Sequence, residues 1–262
     1  MSLYNAHPKD GVAWVTGASS GIGYAIALKL CAEGYTVVAT ARSGEKLEQL
    51  ANDVTSANLS GKVIPRPGDV TDSTQMANIV TDIADNLGGL ALAILNAGVY
   101  IPVNADNLQI SDFEKTFAVN LTGVVNGLVP VVDAMKNQAK GQIALVSSVT
   151  GYGGLPTSAA YGATKAAVIN MAESLKFDLD DMNIRIQIIN PGFVRTAATD
   201  QNEFEMPSIV SAEEAAGRIA QGLKRNHFEI TFPKRFTYVL KFINLMPYRI
   251  YFALVGRTKK AK

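Results

Sequence analysis

The sequence predicts an α/β fold: a doubly wound parallel sheet of about seven strands, helices on both faces, one domain. Three observations carry this. Apolar runs of strand length alternate with helix-length segments along the chain. A length of 262 residues, 48% of them hydrophobic, suits one large core better than two small ones. A glycine-rich stretch directly follows the first strand-like run. No solenoid-length repeat, low-complexity tract or internal linker breaks the pattern.

The elements follow in order. "GVAWVTG" reads as the first strand, with a helix from residue 21 to about 33. "YTVVATA" is the second strand and "EKLEQLANDV" its helix. "KVIPRPGDV" is a third strand, which Pro65 and Pro67 push toward a sheet edge. Residues 71–86 read as helix. "LALAILNAG" is continuously apolar, as a strand buried on both faces should be. One long helix is expected over about 111–137, then strand "GQIALVSS", a helix over 159–181 and strand "IRIQIINPG". A helix over 212–224 and the strand "FEITFP" complete the alternation, which implies right-handed crossovers.

Composition excludes several classes of function. A net charge of +1 offers no global field for nucleic acid. The single cysteine, Cys31, excludes an internal disulfide and a multi-cysteine metal cluster; it is expected as a core thiol on the first helix. His7 and His227 are the only histidines and lie far apart, which argues against a histidine metal site or a serine–histidine hydrolase. The N-terminus lacks a basic–apolar–small signal pattern, so a cytosolic protein is expected.

Between the first strand and its helix lies "TGASSGIG". Gly17 lets the chain turn off the strand; Gly21 and Gly23 let backbone approach a ligand at a helix N-terminus. Free N–H groups and the helix dipole attract phosphate there. A glycine loop in this strand–loop–helix context points to a Rossmann-type nucleotide fold.

The spacing is G-x-x-x-G-x-G, and here the sequence resembles the short-chain dehydrogenase/reductase family. The resemblance covers roughly residues 10–200. It includes "GDV" with Asp69, "NAG" at 96–98, Asn120 in "AVNLTG", Ser148 in "LVSS", Tyr161 and Lys165 in "YGATK", and "NPGFVRT" at 190–196. It implies that Gly17, Ser19, Ser20, Gly21, Ile22 and Gly23 hold the pyrophosphate. Asp69 and Val70 would lie near the adenine, and Asn96, Ala97 and Gly98 beneath the cofactor. Pro191, Gly192, Val194 and Thr196 would hold the nicotinamide end, though Thr196 could instead cap the following segment.

The second strand should end beside the adenosine ribose. An acid there would accept from the 2′-OH and repel a 2′-phosphate. In "VVATARSGEK" the position is Ala41, and Arg42 follows. This favours NADP(H) over NAD(H), with Arg42 as the phosphate ligand. The plainer reading of Arg42 is a solvated side chain pairing with Glu45.

Tyr161 and Lys165 stand one helical turn apart and share a face. A phenol ordinarily titrates near 10, and an ammonium nearby favours the phenolate. Tyr161 is expected as acid in carbonyl reduction and base in alcohol oxidation. The expected role of Lys165 is to lower the Tyr161 pKa and, by resemblance, to hold the nicotinamide ribose. Ser148 should bond the carbonyl oxygen, unless it merely ends its strand. Ser147, its neighbour, should face the other side. Asn120 is expected to hold a relay water, or else to bond backbone within its helix.

The substrate region is apolar. Tyr152, Leu155, Pro156, Phe193 and either Phe204 or Met206 are expected to line it, with residues 197–206 as a lid. An apolar carbonyl or secondary alcohol is implied. By resemblance the chain should form a homodimer or homotetramer through helices 111–137 and 159–181.

Residues 1–233 read as the nucleotide-binding and catalytic body, and 234–262 as an extension. The extension carries eight Lys or Arg and no acid, leaving a formal excess of seven acids in the body. Pro247, Lys241 and Arg249 argue against a spanning helix. Three readings stand: packing over the substrate pocket or a neighbouring subunit, peripheral contact with an anionic membrane, or a satellite core with a solvated basic end. For the whole chain, an NADP(H)-dependent oxidoreductase leads. The alternatives are a non-catalytic nucleotide-binding regulator and an isomerase or lyase of the same family.

Overall fold

β1 (Val12–Thr16) lies in the interior of a sheet in the computed structural model, which describes residues 3–196, 199, 206 and 208–256. Its side chains alternate between two cores: Ala13 and Val15 face one, Val12 and Trp14 the other. Trp14 is wholly enclosed, and its indole N–H donates to Thr40 Oγ1 at 2.9 Å. This satisfies the ring's one polar group without water.

Among the described residues the sheet has seven strands. They are β1, β2 (Thr36–Thr40), β3 (Lys62–Pro65), β4 (Leu90–Leu95), β5 (Gly141–Val146), β6 (Ile184–Pro191) and β7 (Glu229–Phe232). Their order is β3-β2-β1-β4-β5-β6-β7, and every pairing is parallel. The chain runs outward from β1 in one direction and then, from β4, in the other. That reversal leaves a crevice beyond the C-terminal ends of β1 and β4.

Helices α1 (Gly21–Ala32), α2 (Gly44–Ser56) and α7 (Ala212–Leu223) cover one face through residues such as Leu30, Leu50 and Ile219. Helices α3 (Ser73–Asn86), α5 (Gly123–Asn137) and α6 (Ala159–Asp181) cover the other through Ile83, Val131 and Val168. Cys31 lies in the first layer, and burial pushes its thiol up to about 12. It is a core residue, as expected. β3 takes the sheet edge that its prolines suggested, but regular pairing stops at Pro65.

The helix expected over 111–137 is three pieces: α4 (Ile110–Phe117), a π turn (Ala118–Thr122) and α5. The widened turn surrounds Asn120. Such insertions concentrate at functional sites. After β7 the chain forms α8 (Lys234–Asn244) and α9 (Tyr248–Val255). α8 is tied to β7 by a Lys241–Glu229 ion pair, and Tyr251 of α9 donates to the Gly154 carbonyl at 2.7 Å.

Candidate active site

The crevice opens into a cavity of about 900 Å³. The glycine loop forms one wall. Gly17 and Gly21 have φ of +67° and +56°, where a Cβ is strained. A Cβ on Gly17 would lie 2.8 Å from the Ala97 Cα. α2, α3 and α7 are each capped by a side chain, from Ser43, Asp72 and Ser211. α1 is not: Ser20 makes no side-chain cap bond. Its first N–H groups therefore face the cavity unclaimed by a side-chain cap, and a pyrophosphate fits that donor set.

Asn96 joins the two strand ends that frame the crevice. Its Nδ2 donates to the Thr16 carbonyl at 3.0 Å, while its own N–H and that of Ala97 donate to Thr16 Oγ1 at 3.0 and 3.1 Å. Ser19, Ser20, Ile22, Ala97 and Gly98 line the same space. Gly23 does not. A Cβ there would lie 2.3 Å from the Gly17 carbonyl oxygen and 2.5 Å from Asn96 Nδ2, so this glycine seats α1 under the loop rather than touching the cavity.

At the end where the adenosine is expected, the wall holds Ala41, Arg42, Ser43 and Lys46. Asp69 and Val70 close that end. The Thr71 N–H at 2.9 Å holds the Asp69 carboxyl below its usual range, with help from the Thr71 hydroxyl and nearby Arg42. Lys46 is a second base that the strand-end argument did not select. It sits in the first turn of α2, just after the bend that carries Arg42, and lines the same wall.

Ser148, Tyr161 and Lys165 meet at the other end of the cavity. β5 carries Ser148 just beyond its last residue, and α6 presents Tyr161 and Lys165. Ser148 also accepts from the Thr150 N–H at 3.2 Å, which fixes its hydroxyl oxygen over the short turn that follows. Ser147 is also on the cavity wall, but its hydroxyl donates to the Lys165 carbonyl at 2.8 Å and is spent on α6.

Lys165 is 3% exposed; its Nζ donates to the Val146 carbonyl at 2.8 Å and lies 5.4 Å from the Tyr161 ring centre. Burial lowers its pKa to about 8. Tyr161 is not depressed in this arrangement. Burial raises it to about 12, against a Ser148 hydrogen bond that pulls it down, and Tyr100 adds to the rise. The expected depression by Lys165 does not occur: desolvation dominates, and the Lys165 Nζ donates to the Val146 carbonyl.

Asn120 is fully buried and spent on backbone outside its own helix. Its Oδ1 accepts from the Val99 N–H at 2.7 Å and its Nδ2 donates to the Val99 carbonyl at 2.8 Å. This departs from both readings of Asn120, since the carboxamide clamps the chain leaving β4. A Cβ on Gly98 would lie 3.3 Å from Asn120 Oδ1 and 3.7 Å from Lys165 Nζ, so glycine keeps the space between them open.

Pro191, Gly192, Val194 and Thr196 line the cavity where β6 ends. The Gly192 N–H donates to the Phe232 carbonyl at 2.7 Å, and Val194 bridges to Val210. Thr196 packs close to Gly21, which brings the segment across the loop. Leu155, Pro156 and Phe193 form part of the apolar wall. Tyr152 does not: its hydroxyl donates to Glu229 at 2.5 Å, which turns the ring away toward β7. Met206 is not on the wall, and Phe204 and most of the expected lid lie outside the described residues.

Besides Lys46, further wall residues were missed from sequence, among them Tyr100, Phe236 and Leu240. Tyr100 meets Tyr161 edge-on, with ring centres 5.3 Å apart. Phe236 and Leu240 of α8 reach the cavity from the extension. Their four-residue spacing was the available signal.

A family model described as short chain dehydrogenase matches residues 11–206. An uncharacterized oxidoreductase of Myxococcus xanthus is 32% identical over 247 residues, 94% of this chain and 97% of its own. A 3-oxoacyl-(acyl-carrier-protein) reductase of Thermotoga maritima is 36% identical over 190 residues, 72% of this chain and 76% of its own. The crystal structure of a short chain dehydrogenase/reductase from Burkholderia phymatum, in complex with NAD, superposes with a TM-score of 0.81 at 22% identity. It covers 91% of this chain and 94% of that one. That last likeness concerns the fold.

Proposed function

Because the chain belongs to the short-chain dehydrogenase/reductase family of NAD(P)-dependent oxidoreductases, we propose that it uses NADP(H) to interconvert an apolar carbonyl compound and its secondary alcohol. When bound, the nicotinamide supplies or accepts the hydride at the carbonyl carbon. The chain supplies the proton and the geometry. Ser148 holds the carbonyl oxygen, and the Tyr161 O–H gives its proton to that oxygen as negative charge develops there. In the reverse direction Tyr161 removes the alcohol proton. A phenol raised to about 12 is reliably protonated at neutral pH, which suits the reductive direction.

Lys165, with a pKa of about 8, is largely cationic at neutral pH and stabilises the phenolate left behind. The proposed nucleotide contacts are the α1 N-terminus for the pyrophosphate, Arg42 with Lys46 for a 2′-phosphate, and the segment from Pro191 to Thr196 for the nicotinamide. The single observation that carries the reading is the Ser148–Tyr161–Lys165 set facing the same cavity as the uncapped glycine loop. The apolar wall from Leu155, Pro156, Phe193, Phe236 and Leu240 supports an apolar substrate.

The test follows NADPH absorbance across a panel of apolar ketones and aldehydes. Turnover is expected, and Tyr161→Phe should lower kcat by about 10²–10⁴. A variant that keeps full turnover would sink the assignment of Tyr161. Nucleotide binding without turnover across the panel would favour the regulatory alternative, and product formation without net NADPH loss the isomerase or lyase.

A further inference from the structure

We propose that α8 and α9 form a docking surface for an anionic lipid bilayer, placing the cavity wall against the membrane. The two helices and the turn between them expose Tyr238, Phe242, Leu245, Tyr248, Ile250 and Phe252, with Leu245 82% and Tyr248 79% exposed. Side chains this large are seldom left to water in such density. Tyr248 and Phe252 stack on each other, so they present one surface rather than scattered residues. Only Thr237, Tyr251 and Val255 of the two helices are buried. The surface is therefore not a core face turned outward.

Charge selects the occupant. Lys234, Arg235 and Arg249 are exposed at the rim of the apolar side chains. Residues 234–262 hold eight bases and no acid, whereas the body carries seven more acids than bases. An anionic surface thus attracts this end and repels the rest, which orients the molecule as well as binding it. A second copy meeting the same patch about a two-fold axis would set bases against bases. Aromatic and aliphatic side chains ringed by Lys and Arg match the headgroup–acyl boundary.

α8 has a second apolar side. Phe236 and Leu240 line the cavity, while Tyr238, Val239 and Phe242 point outward. A hydrophobic molecule dissolved in the bilayer would have one helix to pass before reaching Tyr161. This route rests on the reductase reading; the docking surface does not. The helical run Ile110–Asn137 is long and apolar enough to cross a membrane by length and composition, but its α5 part packs Leu128, Val131 and Met135 into the core beneath it and adds no cluster of bases.

The test is co-sedimentation of the full chain with vesicles of phosphatidylcholine plus phosphatidylglycerol, and with phosphatidylcholine alone. Binding is expected to the anionic vesicles and to fall with salt. Arg235→Ala and Arg249→Ala should each weaken it by about fivefold. Leu245→Glu with Phe252→Glu should abolish it, with circular dichroism and NADPH binding unchanged. The charge variants and the salt series decide the matter even if the double variant misfolds. Failure of the wild-type chain to pellet with anionic vesicles overturns the proposal. So does a lipid-free assembly that light scattering shows to be dissociated by Leu245→Glu. Vesicle binding by a chain that reduces no carbonyl upholds the docking surface and removes only the reductase reading.

Discussion

The Lys165 ammonium sits in a space almost closed to water, with the Val146 carbonyl as its hydrogen-bond acceptor. Its pKa falls from 10.5 to about 8 because burial disfavours charge. Between those values the unfolded chain binds more protons, so stability rises with pH across this window. Below about 8 the full cost of burying the charge is present. Lys165→Met should therefore stabilise the protein by about 1–3 kcal/mol at pH 7, and lose that advantage as pH rises toward 10.5. Urea unfolding at several pH values measures this; a destabilised variant at pH 7 would count against it. Ala41→Asp sets a carboxylate beside Arg42 and should shift preference from NADPH toward NADH by about tenfold or more. The ratio of kcat/KM for the two nucleotides reads the shift, and an unchanged ratio refutes the assignment. The residues legible in sequence were those whose neighbours in the chain are also their neighbours in space: the glycine loop, and Tyr161 with Lys165. Tyr100 escaped because only folding brings it to Tyr161. Asn120 was visible, but its use on Val99 was not.

Elements were legible where their apolar period is regular. The helix over 159–181 was placed to the residue. The helix over 111–137 had nearly correct ends, but its π turn was invisible, since apolar spacing does not register one widened turn. α8 was seen only as an apolar, basic tail. Its position depends on Glu229, which accepts from Tyr152, Asn190 and Lys241 and so joins the segment after Ser148 to β6 and to α8. Burial would raise the Glu229 pKa, but the hydrogen bonds from Lys241, Tyr152 and Asn190 outweigh it and hold it below its usual value. The stabilisation this gives is present above about 4.5 and is lost as pH falls through the lowered value. Lys241→Met should release α8 at a cost of about 1–2 kcal/mol. With Phe236 and Leu240 displaced, KM for an apolar ketone should rise about fivefold or more with little change in kcat. An unaltered KM would show that the ion pair does not position the wall.

At the scale of the molecule, the fold class could be read because strand-length apolar runs and helices alternate without exception. The order of strands could not: it is settled by which surfaces pack, and no single segment carries it. Association belongs to this scale too. Val129 on α5 and Phe177 on α6 are 56% and 78% exposed in the helical layer remote from the glycine loop. A homodimer or homotetramer built on that layer predicts that Val129→Glu with Phe177→Glu lowers the mass measured by light scattering. A mass equal to that of the wild-type chain would reject this layer as the interface.

Trp14 is the only tryptophan in the chain, enclosed in the sheet interior with its N–H already engaged. The protein therefore carries one indole fluorophore, wholly buried within β1, the strand whose end helps frame the crevice. Its emission should be blue-shifted and deaf to quenchers in water while the sheet holds, and should redden only when the sheet opens. Agreement between that signal and helical circular dichroism during unfolding would mark a single cooperative transition. With the nicotinamide bound as proposed, energy transfer from this indole to the reduced ring would dim it and report nucleotide arrival before any substrate is known.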